Sequence, residues 1–226
     1  AGTYMPGLKA LTDRVTGPRL PRFIAFYTAT FGIGTTLSLL LAGALGGRLP
    51  WRTAIGALAL GPAVAGVLVF LGLASHRPAG ALHAPWWPSF GPVLAQRAAR
   101  PFIVGYAVHC WELFGLRSWI VAYLAFAQGV SQAPAWMPPT TAAALINVIG
   151  LAASILGNEA AGRVGRLRWI GGAMAASGAL CWVAGASAAA HWSLALGARA
   201  LYFAAVMADS AALTAGLVAA TATARR

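Results

Sequence analysis

Four stretches of this chain run for 21 residues or more without a charged side chain: Phe23–Gly47 (25 residues), Thr53–Ser75 (23), Pro138–Asn158 (21) and Trp169–Ala190 (22). Two more are as apolar but interrupted. Pro101–Gln128 contains Glu112 and Arg117, and Trp192–Ala220 contains Arg199 and Asp209. At 1.5 Å per residue, each stretch is long enough to cross a hydrocarbon layer about 30 Å thick. None alternates apolar and polar residues as the roughly 9–11-residue strands of a membrane β-barrel do. Only 9% of the 226 residues are charged and 59% are hydrophobic. Ordinary soluble domains run near 25% and 45–50%, so a soluble globular domain, a disordered tail and a collagen-like chain are excluded. The pattern predicts an all-α fold, a polytopic transmembrane bundle of six full spans set in a lipid bilayer.

Gly and Pro clusters punctuate the spans, at Gly46-Gly47-Arg48-Leu49-Pro50, across residues 132–139 and at Gly162-Arg163-Val164-Gly165-Arg166. The longest connector, residues 76–100, is proline-rich and carries Trp86-Trp87, a pair suited to the membrane interface. The formal charge of +12 comes from 16 Lys+Arg against 4 Asp+Glu. In a soluble chain that excess would suggest nucleic acid, but here the basic residues sit in short clusters between apolar runs. With six spans, one face collects Lys9, Arg14, Arg19, Arg22, Arg77, Arg97, Arg100, Arg163, Arg166, Arg168, Arg225 and Arg226, and the other only Arg48 and Arg52. Cytoplasmic loops hold such an excess. The expected location is therefore a cell (inner/plasma) membrane, multi-pass, with both ends cytoplasmic, and no nucleic-acid partner is expected.

Ionisable groups inside the spans are the functional candidates, because charge in hydrocarbon is costly. Glu112 lies about 11 residues into its span, roughly 16 Å deep at 1.5 Å per residue. His109 precedes it by three residues and shares its face. A midplane carboxylate beside an imidazole can take up and release a proton as its solvent exposure changes. The alternative is a Glu112 paired with an arginine of a neighbouring helix. Arg117 follows Glu112 by five residues, about 140° around the helix, and faces either an anion or a carboxylate elsewhere. Arg199 is about two turns from the outer end of its span and can snorkel. Asp209 is ten residues further on, about 15 Å away, too far for a direct pair. Asn147 is an uncharged ligand candidate or an interhelical hydrogen-bonding group. Gly171, Gly178 and Gly185, seven residues apart, and Gly32, Gly43 and Gly47 predict close helix approaches. No HExxH, CxxC, GxSxG or Walker pattern occurs, so neither an enzyme, a cofactor nor a metal site is expected.

Pro6-Gly7-Leu8-Lys9-Ala10-Leu11 aligns with Ala215-Gly216-Leu217-Val218-Ala219-Ala220 at an offset of 209 residues, a weak sign of repeated halves. Thr12-Asp13-Arg14, Arg19 and Arg22 lead into the small-residue run Ala25-Phe26-Tyr27-Thr28-Ala29-Thr30-Phe31-Gly32-Ile33-Gly34. Gly47-Arg48-Leu49-Pro50-Trp51-Arg52 forms a short Trp-Arg turn, and the 76–100 connector resembles an inter-half linker. Gly157-Asn158-Glu159-Ala160-Ala161-Gly162-Arg163-Val164-Gly165-Arg166 is similar to a Gly-x-x-x-Asp-Arg-x-Gly-Arg loop, with Gly162 at the acidic position and Gly157 one place early. Together these motifs resemble the major facilitator superfamily of twelve-helix secondary transporters, over nearly the whole chain.

The resemblance implies a fragment running from the end of helix four through helix ten. Residues 1–22 would be the end of a transmembrane helix and a cytoplasmic loop, 23–75 the last two helices of the N-terminal half, 76–100 the cytoplasmic linker and 101–226 the first four helices of the C-terminal half. It implies alternating access for a small-molecule solute, with protons as coupling ion. Arg199 would stand at the half-repeat counterpart of the family's helix-four arginine. Asp13, Arg14, Glu159, Arg163 and Arg166 would be cytoplasmic gating-loop residues, Glu159 replacing the acidic position. The two intramembrane arginines favour a small organic or inorganic anion as solute, with drug-like and sugar substrates as the alternatives. The competing reading is a complete six-helix membrane protein without transport activity, an assembly factor or membrane-embedded enzyme.

Overall fold

A backbone surrounded by lipid must satisfy its hydrogen bonds within its own segment, which leaves apolar runs of this length little choice but the helix. The computed structural model describes residues 4–15, 20–73, 91–131, 133–134 and 136–223, and no strand occurs among them. Its helices are α1 (Tyr4–Arg14), α2 (Leu20–Gly46), α3 (Trp51–Leu58), α4 (Leu60–Gly72), α5 (Gly91–Ala95), α6 (Arg100–Val130), α7 (Pro139–Val164), α8 (Arg166–Ala186), α9 (Trp192–Met207) and α10 (Ser210–Thr223). They make six spans long and apolar enough to cross a membrane. Most of the 76–100 connector, with Trp86-Trp87, and the basic residues Arg19, Arg77, Arg225 and Arg226 lie outside the described residues.

Local chemistry sets several helix ends. Pro101 and Pro139 sit in the first turns of α6 and α7, where a missing N–H costs nothing. Gly165 joins α7 to α8 with φ of 100°, a backbone conformation that side chains rarely adopt. The second span breaks at Ala59 between α3 and α4. Pro62 has no N–H to offer the Leu58 carbonyl, which weakens the helix there.

The sixth span departs from expectation. Residues 192–220 read as one uninterrupted run, yet the helix breaks at Ala208–Asp209, between α9 and α10. No proline or glycine stands there. The cause is tertiary: the Ala208 carbonyl accepts a 2.9 Å hydrogen bond from the Trp169 indole Nε1 on α8. Gly157 of α7 makes room for it, because a Cβ at Gly157 would overlap that carbonyl. Replacing Trp169 by Phe removes the donor and is expected to lower stability by about 1 kcal/mol, read as a lower unfolding temperature in detergent.

α7 is the central helix. It packs against α2 on one side and α9 on the other, while α8 packs along α9. Two apolar cores result. The larger one, toward the α6–α7 turn, includes Leu116, Ile120, Leu124, Ile146, Trp192, Phe203 and Val206. The smaller one, toward the α7–α8 turn, is built on Phe102, Ala161, Ile170, Ala212 and Leu213. α4 buries nothing among the described residues. Its Phe70 and Leu71 are 85% and 76% exposed, an apolar surface of the kind lipid covers.

The glycine expectations are met only in part. Gly32 rests against Leu151 of α7 and Gly43 against Thr140, so both serve close packing as expected. Gly47 faces only the carbonyl of Gly43. A Cβ at Gly171, Gly178 or Gly185 would meet open space, so that seven-residue stripe packs nothing among the described residues. Close approaches fall instead at Gly150, against Phe203 and Met207, and at Gly157. The aligned glycines of α1 and α10 both seat an aromatic ring, Gly7 that of Tyr27 and Gly216 that of Phe102.

Candidate functional site

Between the two cores lies a polar layer. On α6 the positions 106, 109, 110, 113 and 117 recur every three or four residues and so share one helical face. That face, with Tyr4 of α1, Thr28, Phe31 and Gly32 of α2, Asn147, Leu151 and Ser154 of α7, Met207 of α9 and Ser210 of α10, encloses a cavity of about 260 Å³. α1 is held to this wall by α2. The Tyr4 ring lies 5.3 Å from that of Tyr27 and 5.9 Å from that of Phe31, and the Tyr27 hydroxyl donates to the Tyr4 carbonyl at 2.8 Å.

His109 lines the cavity, but its partner is Asp209 rather than Glu112. His109 Nδ1 and Asp209 Oδ1 are 2.7 Å apart, each side chain 3% exposed. No aligned hydrogen bond reaches that oxygen among the described residues, so the contact is close but imperfectly directed, and it is a charge pair only with the imidazole protonated. Asp209 can reach His109 because it stands in the break between α9 and α10.

Glu112 points away from the cavity. Ser177 of α8 lies with its hydroxyl 3.0 Å from Glu112 Oε2 and also 3.0 Å from the Met174 carbonyl, so one hydroxyl proton serves two acceptors. Tyr202 of α9 borders the same carboxylate, with Cys181 next to it. The alternative of a Glu112–arginine pair does not occur among the described residues.

Arg117 donates from Nη2 to the Asn147 side-chain oxygen at 3.2 Å. Its guanidinium lies over the rings of Phe31, at 4.8 Å, and Phe203, at 5.8 Å. Its Nε is buried without an acceptor, and no carboxylate pairs with it among the described residues. Asn147 is 4% exposed and its amide nitrogen donates to the Gly32 carbonyl, at 3.3 Å, and to Thr36 Oγ1, at 3.2 Å. It therefore ties α2, α6 and α7 together, as an interhelical hydrogen-bonding group would. Arg199 does not snorkel. It stacks at 3.8 Å from the Tyr123 ring and 5.7 Å from that of Tyr202, both arrangements favourable to a cation over a π-face. As the spacing requires, it makes no pair with Asp209.

The loop candidates are less organised. Asp13 pairs with Lys9 one turn before it at 2.9 Å, a surface contact worth little. Arg14 reaches the Ala10 carbonyl, and Arg166 reaches the Asn158 side chain at 3.4 Å. Glu159 and Arg163 are exposed, and no ion pair joins Glu159 to Arg163 or Arg166.

Sequence reasoning missed Tyr4, Phe31 and Phe203, the rings around the cavity and its arginine, and Ser177, the partner of Glu112. Aromatic and hydroxyl residues at helical spacing look alike whether they pack, line or bond. Only the spacing of Tyr106, His109 and Arg117 on one face carried a readable signal.

The chain matches the Major Facilitator Superfamily over residues 1–226. No curated protein and no solved structure matches it. That match runs through every helix described above, including both parts of the broken sixth span, and six membrane-spanning segments agree with it. The protein is therefore a multi-pass membrane protein, a transporter of the major facilitator kind, and it belongs to the Major Facilitator Superfamily.

Proposed function

We propose that this chain carries the solute cavity and the ion-coupling residues of a proton-coupled secondary transporter that works by alternating access. The observation that carries the reading is the placement of the cavity. One wall is α1–α2, which precedes the 76–100 connector, and the other is α6, α7, α9 and α10, which follow it. A solute held there touches both sides of a junction that can rock, the arrangement alternating access requires. In this reading both ends are cytoplasmic and the membrane is a cell membrane. The chain works within a longer twelve-span protein, from the end of helix four through helix ten.

Cys110 lines the cavity and offers a direct test. It and Cys181 are the two cysteines of the sequence, both free. With Cys181 and any thiol outside these 226 residues changed to Ser, a membrane-impermeant maleimide is expected to reach Cys110 from each side of the membrane in turn. Labelling from one side only, under all conditions, would sink the reading.

For coupling, the His109–Asp209 pair is the leading candidate and Glu112 the second. Glu112→Gln keeps the size of the side chain and a hydrogen-bond acceptor for Ser177. It is expected to cut uptake driven by a pH gradient several-fold while solute exchange at equal pH continues. Gradient-driven uptake at the wild-type rate would remove Glu112 from coupling and leave the His109–Asp209 pair.

A further inference from the structure

We infer that the solute is a small organic monoanion: one carboxylate on a compact, apolar body. The inference rests on the cavity being the transport site and goes further by naming what the site takes. Charge comes first. Among the described residues, Arg117 is the one arginine or lysine lining the cavity, and no acidic residue lines it with Arg117. His109 is in contact with Asp209, so that pair adds no net positive charge to the cavity. Among the described residues the guanidinium has only a neutral amide, Asn147, as hydrogen-bond partner, and its Nε has none. A partly buried cation without a counter-charge is costly, and an arriving anion removes that cost. One uncompensated positive charge matches one negative charge.

Geometry then selects the head group. The guanidinium carbon lies over the Phe31 ring at 4.8 Å and over the Phe203 ring at 5.8 Å. Its Nε has no acceptor among the described residues, and a carboxylate matches the planar N–H fork of such a group. The rest of the wall selects the body. Phe31, Leu113, Phe114, Leu151 and Met207 make most of it apolar, which disfavours a strongly hydrated inorganic ion. The volume of about 260 Å³ falls just below the usual range of small-molecule pockets, roughly 300–1,000 Å³. That suits a single ring or a short aliphatic chain.

The test uses Cys110 as reporter in the full-length protein in membrane vesicles, with benzoate as probe. Benzoate is expected to slow maleimide labelling of Cys110. Benzamide, benzylammonium, phthalate and inorganic phosphate at the same concentration are expected not to. Arg117→Gln is expected to weaken benzoate protection at least about tenfold, the loss of a charge-assisted contact. The unprotected labelling rate in that variant should stay near wild type, which shows an intact cavity. Arg117→Lys, which keeps the charge but not the planar fork, should recover only part of the protection. Equal protection by benzamide, benzylammonium, phthalate or phosphate overturns the inference, as does protection by none of them or unchanged protection in Arg117→Gln. In each of those cases two-sided labelling of Cys110 still supports the transport reading. Labelling from one side only under all conditions, or from neither side, overturns that reading and the inference with it.

Discussion

Asp209→Asn is expected to reduce pH-driven uptake to background while leaving solute exchange at equal pH within about threefold of wild type. The carboxylate lies 2.7 Å from His109 Nδ1 in a layer where each side chain is 3% exposed. A proton arriving on the imidazole there creates a cation, and Asp209 is the counter-charge in contact with it. An amide has the same shape but no charge, so the protonated imidazole would stand unpaired in a site with little water. Leaving one partner of a buried pair uncompensated costs about 3–5 kcal/mol, and Asp209→Asn imposes that cost on coupling through this pair. Proteoliposomes loaded with and without a pH gradient separate the two readouts. Uptake that still follows the gradient in Asp209→Asn would take the pair out of the coupling mechanism. A loss of exchange as well would point to a structural role for the break at Ala208–Asp209.

Gly157→Val is expected to destabilise the protein by about 3 kcal/mol, combining overpacking of roughly 1–3 kcal/mol with the loss of one hydrogen bond. A Cβ at this position overlaps the carbonyl of Ala208, and backbone cannot swing aside as the end of a flexible side chain can. Either α7 separates from the α9–α10 break or the carbonyl turns away from Trp169. The second outcome would also displace Asp209, the next residue, from His109. Thermal unfolding in detergent gives the first readout and gradient-driven uptake the second. Gly178→Ala is the control. It faces open space on α8, and alanine is the better helix former, so no loss of stability is expected. An unfolding temperature for Gly157→Val equal to that of this control would show that the close approach carries no load.

The helices were legible because their cause is local. A charge-free run such as Phe23–Gly47 must satisfy its own backbone in lipid whatever its neighbours do. Gly165 was legible as punctuation for the same reason, since a positive φ is a property of one residue. The partner of His109 was not legible. Spacing of three placed Glu112 beside it along the helix, but two residues at that spacing diverge enough for one to face the α9–α10 break and the other α8. The glycine stripe of α8 misled in the same way. Periodicity shows that a face exists and cannot show what lies against it, and the close contacts fell on Gly150 and Gly157 of α7.

The sequence by itself determined the membrane class, the six spans, the family likeness and the short inventory of charges that the loops do not explain. These follow from hydrophobicity and backbone hydrogen bonding, which act over a few turns of one helix. Only the tertiary structure decided that Asp209 meets His109, that Glu112 meets Ser177, that Arg117 lacks a counter-charge among the described residues, and that the sixth span breaks where it does. Each of these depends on groups from different helices meeting across 30 to 100 positions of sequence. A single chain read in order does not contain those distances, because helix rotation and packing fix them only when the bundle forms.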